Sequence, residues 1–265
     1  MNSYHKLISV QHQNSSILCV GLDSDLNKMP GHLKSDVKNL YEFNCSIVEA
    51  TKQHACAYKM NFAFYEQYGI EGIEILKKTF DYIPKEIFTI ADAKRGDIGN
   101  TSAAYARAAF EYFGADSVTV NPYMGIDSVA PFLKFKDKIT FLLALTSNPG
   151  SGDFQRLNSG GKPVFRHVVE KSLEWASHEC LGYVVGATHP GEIRELRQEA
   201  KDNVFLIPGV GAQGGEIAAT LEANGGKPAI INVSRAIIYA SDGKDFALKA
   251  GQEAENYKKA FQGAD

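Results

Sequence analysis

The sequence predicts an α/β protein: a closed (β/α)8 TIM barrel in a single domain over residues 1–265. Three observations predict it. Short β-branched or apolar runs recur along the whole chain, each followed by a longer stretch with helical spacing, which is the pattern of parallel βαβ units. There are eight such runs in 265 residues, or about 33 residues per unit, the repeat length of such a barrel. Polar residues gather at the C-terminal ends of these runs, which in a closed barrel converge on one face.

In chain order, the first run, 17–23, ends on Asp23. The stretch 37–51 then sets Leu40, Phe43, Asn44, Ile47, Val48 and Thr51 at helical spacing, so one stripe faces inward. The second run, 55–61, carries Lys59 and Asn61 and is followed by a helical stripe over 65–79; the third, 87–94, carries Asp92 and Lys94 before a stripe over 102–113. The fourth, 117–123, contains Asn121. The fifth, 140–147, ends on Ser147 and opens onto a long hydrophilic loop, 146–163, of a length and placement that suit a lid. A stripe over 164–177 leads to the sixth run, 181–188, ending on Thr188. The seventh and eighth, 204–210 and 229–235, are followed by a last stripe, 246–261. An open doubly wound sheet fits the alternation less well, because the chain after the first run reads Gly21-Leu22-Asp23-Ser24, not a glycine-rich dinucleotide turn.

Composition narrows the function classes. With 44% hydrophobic and 22% charged residues the chain is an ordinary globular protein, which excludes disorder and fibrous repeats. Lys and Arg total 28 against 31 Asp and Glu, a net charge of -3, so there is no basic footprint for nucleic acid or an anionic membrane. An anionic ligand must then be small and locally gripped. The four cysteines form no C-x-x-C pair and read as reduced core residues. The seven histidines show no metal-ligand spacing, so no metal is expected. No apolar run approaches the roughly 18 residues of a membrane span, and the first ten residues lack a secretory apolar segment, so a cytoplasmic protein is expected.

The segment 89–101 carries the most chemistry. Side chains two apart on a strand point the same way, so Asp92 and Lys94 project together while Ala91 and Ala93 face the helices. With Lys59 beside them, the charges alternate and the lysines stay protonated; a positioned ammonium is a general acid. A structural ion pair is the plainer alternative for Asp92 and Lys94. Asp97 lies past the strand and must reach elsewhere or cap the next helix, and Thr101 has the same two readings.

A second constellation follows the seventh run, where Pro208-Gly209-Val210-Gly211-Ala212-Gln213-Gly214-Gly215-Glu216 leads into a helix. Glycines let backbone N–H groups approach an anion, and the helix N-terminus adds its positive end. The eighth run ends in Ser234 and Arg235, beside that turn in a barrel, where phosphates are often held and where a guanidinium can bind one through two parallel bonds. A phosphorylated small molecule is the expected substrate; a tight turn and a surface charge are the alternative. Ser147 offers a hydroxyl to the same face or simply serves a turn.

Together these residues resemble the orotidine 5'-phosphate decarboxylase family, in the branch with longer chains. The resemblance rests on Asp92-Ala93-Lys94-Arg95-Gly96-Asp97-Ile98-Gly99-Asn100-Thr101, matching D-x-K-x-x-D-I-x-x-T, with Gly21-Leu22-Asp23, Tyr58-Lys59-Met60-Asn61, Pro208 to Gly215 and Ser234-Arg235 in family order, while Asp92 to Asp97 with Asn121-Pro122-Tyr123 points to the longer-chain branch. It implies conversion of orotidine 5'-monophosphate to uridine 5'-monophosphate and carbon dioxide in pyrimidine biosynthesis, without metal or organic cofactor. It further implies that Lys94 protonates C6, that Asp92 sits against the departing carboxylate, and that Lys59 and Asp23 hold the charge network and the ribose. Ser147 would meet the pyrimidine, and Gln213 and Arg235 the phosphate, with Pro208, Gly214 and Ser234 in the binding segments. Asp97 and Thr101 would reach into the partner's site of a homodimer. Ser24 stands where many members have proline, and the loop beyond Pro149 diverges from the family pattern. Two rivals explain less: a magnesium-dependent sugar-phosphate decarboxylase or aldolase of the same suprafamily, and a non-catalytic phosphate-ligand-binding barrel. Neither accounts for the charged residues occurring together with the phosphate grip.

Overall fold

Eight largely buried parallel strands close into a barrel, covered inside by one another's side chains and outside by helices. The computed structural model describes residues 2–188, 190–210 and 214–263. The barrel strands are β1 (Leu18–Gly21), β2 (Ala57–Asn61), β3 (Phe88–Arg95), β4 (Ser117–Val120), β5 (Ile139–Leu145), β6 (Leu181–Val185), β7 (Phe205–Pro208) and β8 (Ala229–Val233). Each pairs in parallel with its sequence neighbours, and β1 closes against β8, with Leu18 opposite Ile231 and Val20 opposite Val233. All residues of β1, β4, β6 and β8 are buried.

The eight expected runs are all present, but most stop two or three residues short of their expected C-terminal ends. β1 ends at Gly21, β4 at Val120 and β8 at Val233. Of the polar residues expected to finish the strands, Asp23, Asn121, Ser147, Thr188, Ser234 and Arg235 lie past the ladder, while Lys59, Asn61, Asp92 and Lys94 stay within β2 and β3. Only β3 runs longer than expected, through Arg95. The helix Asn39–Thr51 buries Leu40, Phe43, Asn44, Ile47, Val48 and Thr51, the expected stripe. The stripe at 65–79 divides into Ala63–Glu66 and Gly69–Tyr82 at Gly69, whose φ of +62° breaks the helix. The stripe at 102–113 starts earlier, at Gly99, and finishes in a π turn, Ala108–Tyr112.

An N-terminal helix, Ser3–Asn14, has no counterpart among the sequence expectations, because only Leu7 and Val10 form its apolar stripe. Its polar side chains hold it across the N-terminal end of the barrel. Lys6 Nζ donates to Asp116 Oδ2 at 2.7 Å, Gln11 Nε2 to the Ala229 carbonyl at 2.8 Å, and Asn14 Nδ2 to the Ala55 carbonyl at 2.7 Å. The cavity that opens from the barrel lies at the other, C-terminal end of the strands. No helix among the described residues is long and apolar enough to cross a membrane. Cys19, Cys56 and Cys180 are buried and all four thiols are free.

Candidate active site

Three adjacent strands bring four charged side chains into one continuous chain of contacts. The register places Gly21 opposite Lys59 and Asn61 opposite Asp92, so residues at the ends of β1, β2 and β3 meet at one level. Lys59 Nζ donates to Asp23 Oδ1 and to Asp92 Oδ2, each at 3.0 Å, and Lys94 Nζ donates to Asp92 Oδ1 at 2.7 Å. Just past the end of β8, Ser234 Oγ donates to Asp23 Oδ2 at 2.8 Å. This last approach requires glycine at position 21: a Cβ there would lie 1.8 Å from Ser234 Oγ.

Burial alone would raise the Asp92 carboxyl, but the charges and hydrogen bonds of Lys59 and Lys94 outweigh it and hold the group well below the usual carboxylate range. Burial likewise works against the Lys59 ammonium, and Asp92 and Asp23 overcome it, pushing Lys59 well above the usual lysine value. Lys59 is therefore a fixed cation. Lys94 differs in exposure: its side chain is 46% accessible, against 8% for Asp92, and it stands free enough to meet a bound molecule.

Asp92 and Lys94 do come together, although not by the regular alternation expected. Ala91 pairs with Val118 and Arg95 with Val120, so residues 92–94 face Thr119 alone. This bulge turns Lys94 to φ +45°, a left-handed conformation seldom taken by residues other than glycine. Its backbone N–H donates to Thr119 Oγ1 at 2.9 Å.

The chain of charges lies in a cavity of about 430 Å³ at the barrel mouth, which Ser147 and Pro208 also line. Asn61, quoted in the family pattern, lines it too. Thr119, Asn148 and Asn232 line it as well, and no sequence signal singled them out. A threonine inside a β-branched run reads as an ordinary strand residue. Other expected residues lie elsewhere. Asp97 Oδ1 accepts from the Ile98 N–H at 2.8 Å, outside the Lys59–Asp92–Lys94 chain. Thr101 is exposed on the helix Gly99–Arg107, and Arg235 is exposed as the first residue of Arg235–Ile238. Gly214 begins the helix Gly214–Asn224, whereas Gln213 falls outside the described residues. Thr188 is exposed, and Asn121 lines a second cavity of about 500 Å³ beneath the 146–163 loop. That loop contains a helical turn, Ser151–Phe154, and a small antiparallel pair, Asn158–Ser159 with Lys162–Pro163. Its root is tied by Gln155, whose Oε1 accepts from the Thr146 N–H at 2.8 Å. Among the described residues no three His, Cys, Asp or Glu side chains gather in a metal-binding group.

Comparison with known proteins places this geometry in context. Residues 16–250 match the model of the orotidine 5'-phosphate decarboxylase / HUMPS family. The chain is 51% identical over 248 residues to the orotidine 5'-phosphate decarboxylase of Christiangramia forsetii, covering 92% of this chain and 91% of that one. It is 48% identical over 269 residues to the orotidine 5'-phosphate decarboxylase of Dehalococcoides mccartyi, covering 98% and 97%. Among solved structures, the OMP decarboxylase of Leishmania donovani superposes with a TM-score of 0.83 at 35% identity, covering 98% of this chain and 99% of that one.

Proposed function

The chain belongs to the orotidine 5'-phosphate decarboxylase / HUMPS family, and from that premise we propose that its charged cavity decarboxylates orotidine 5'-monophosphate with Lys94 as the proton donor. The activity is that of a carboxy-lyase in pyrimidine biosynthesis, releasing uridine 5'-monophosphate and carbon dioxide. The observation that carries the reading is the chain of contacts Asp23–Lys59–Asp92–Lys94 inside the 430 Å³ cavity.

The C6 carboxylate of the substrate faces Asp92, whose charge disfavours it until carbon dioxide leaves. The C–C bond breaks with its electron pair left on C6, a position where the ring cannot spread the charge. The Lys94 ammonium stabilises that pair and then gives it a proton, becoming a neutral amine that solvent reprotonates. Lys59, kept cationic by two carboxylates, holds Asp92 in place, and it binds the ribose together with Asp23, which Ser234 steadies. Ser147 meets the pyrimidine and Pro208 borders it. Gln213, the backbone of Gly214 at its helix N-terminus, and Arg235 bind the phosphate. Phosphate binding, remote from the reacting carbon, favours closure of the 146–163 loop, which excludes water and strengthens the field of the charges. The reaction uses no metal or organic cofactor.

Residues 1–265 act as one catalytic domain in the cytoplasm, as a homodimer. Asp97 and Thr101 complete the site of the second copy. Exposed apolar side chains around them support this: Ile98 is 55% accessible and Tyr123 86%, with Met124 and Ile126 nearby in sequence to Tyr123.

The test is to add orotidine 5'-monophosphate to the purified chain with excess chelator and follow the pyrimidine absorbance. Conversion to uridine 5'-monophosphate is expected, with Lys94→Ala lowering turnover by at least about 10⁴-fold and Arg235→Ala mainly raising KM, by roughly 10- to 100-fold. No conversion by folded wild-type protein, or activity that needs an added divalent metal, would move the assignment to a sugar-phosphate enzyme of the same fold.

A further inference from the structure

We propose that Thr119 is a positioning residue for this site: its hydroxyl ties the Lys94 backbone to the Asp92 carboxylate and so fixes the proton donor against the group beside it. The proposal rests on the decarboxylase reading above and adds a residue to it. In a regular parallel ladder each backbone N–H of β3 would meet a carbonyl of its neighbour. The bulge removes that partner for Lys94, because residues 92–94 stand opposite Thr119 alone. The Thr119 side chain replaces it, accepting from the Lys94 N–H at 2.9 Å. The same oxygen donates its proton to Asp92 Oδ1 at 2.9 Å, the oxygen that also takes Lys94 Nζ at 2.7 Å. The direction of this relay is forced, since a hydroxyl has one proton and Lys94 N–H and the ionised Asp92 can only donate and accept respectively.

Thr119 is 1% exposed, so water has little room to stand in for its hydroxyl. Without that hydroxyl, two things loosen together. The left-handed backbone of Lys94, at φ +45°, loses the bond that holds it. Asp92 keeps Lys59 on Oδ2 but loses the neutral donor that helps fix the plane of its carboxylate. Both groups act on the reacting carbon, whereas the ribose and phosphate contacts lie on other strands. The loss therefore falls on turnover more than on binding.

The discriminating pair is Thr119→Val, which keeps the shape and removes the hydroxyl, and Thr119→Ser, which keeps the hydroxyl. With orotidine 5'-monophosphate as substrate, Thr119→Val is expected to lower kcat by about 10- to 100-fold with KM within about threefold, and Thr119→Ser to recover most of the loss. A Thr119→Val protein with wild-type kcat overturns the proposal, as does an equal loss in the serine variant. Amide hydrogen exchange at Lys94 gives a readout independent of activity: exchange at least about tenfold faster in Thr119→Val than in wild type supports the bond, and unchanged exchange overturns it. An inactive wild type would overturn the decarboxylase reading, while the exchange at Lys94 still decides whether Thr119 holds that residue.

Discussion

Asp92 is the residue on which the site turns, because its carboxylate receives Lys59 on one oxygen and Lys94 and Thr119 on the other. Its charge is stabilised in the folded state, with a pKa held well below the usual carboxylate range against the opposing effect of burial. A depressed carboxyl contributes stability that is present above the unfolded pKa, about 3.9, and is lost as pH falls through the folded value. Lys59 reports the same contacts from the other side. Its raised pKa contributes stability below the ordinary lysine value, about 10.4, lost only as pH rises past its folded value. Neutral pH lies inside both windows. The stability of wild type relative to Asp92→Asn is therefore expected to be flat from about pH 6 to 8 and to decline below about pH 4. Thermal melts of both proteins across that range test this; a difference unchanged down to about pH 3 would mean the carboxylate gains nothing from its two lysines.

At the scale of the element, β1 and β8 approach so closely at Gly21 that only a glycine fits, since a Cβ would lie 1.8 Å from Ser234 Oγ and 3.1 Å from Asn232 Oδ1. Gly21→Ala is expected to push Ser234 off Asp23, costing about 1–3 kcal/mol of stability and raising KM for the ribose-bearing substrate. Urea unfolding and steady-state kinetics read the two effects, and wild-type values for both would show that the strands part without disturbing Asp23. The approach also marks what the sequence makes legible. Gly21-Leu22-Asp23 stands out as a motif, and the stripe from Leu40 to Thr51 is buried as its spacing predicts. Both signals are local. Two features depend instead on two elements meeting: the bulge opposite Thr119, and the helix Ser3–Asn14, held largely by polar side chains reaching residues far along the chain. Alternation along β3 pairs Asp92 with Lys94 correctly but for the wrong reason, because a bulge needs a partner strand to exist.

At the scale of the whole molecule, Asp97 and Thr101 both sit outside the charged chain of Asp23, Lys59, Asp92 and Lys94. The loops that carry Asp97 and Tyr123 lie side by side: a Cβ on Gly96 would be 3.3 Å from Asn121 Cβ and 3.8 Å from Met124 Cε. Their apolar side chains Ile98, Met124 and Ile126 remain 55%, 44% and 46% accessible. A two-fold symmetric contact over this surface would bury them on both copies, because such an interface is self-complementary, and the proposed shared site requires that it also bring each Asp97 to the other copy's Lys94. Shared sites have an arithmetic consequence. Mixing inactive Lys94→Ala and Asp97→Ala chains yields mixed dimers in about half the population, each with one site built from two intact contributions. Activity is then expected to return to about a quarter of the wild-type value. Subunit exchange, followed by co-purification of a tagged copy, must accompany the assay. Exchange without any return of activity would place the complete site within one chain and leave the exposed apolar loops to another partner.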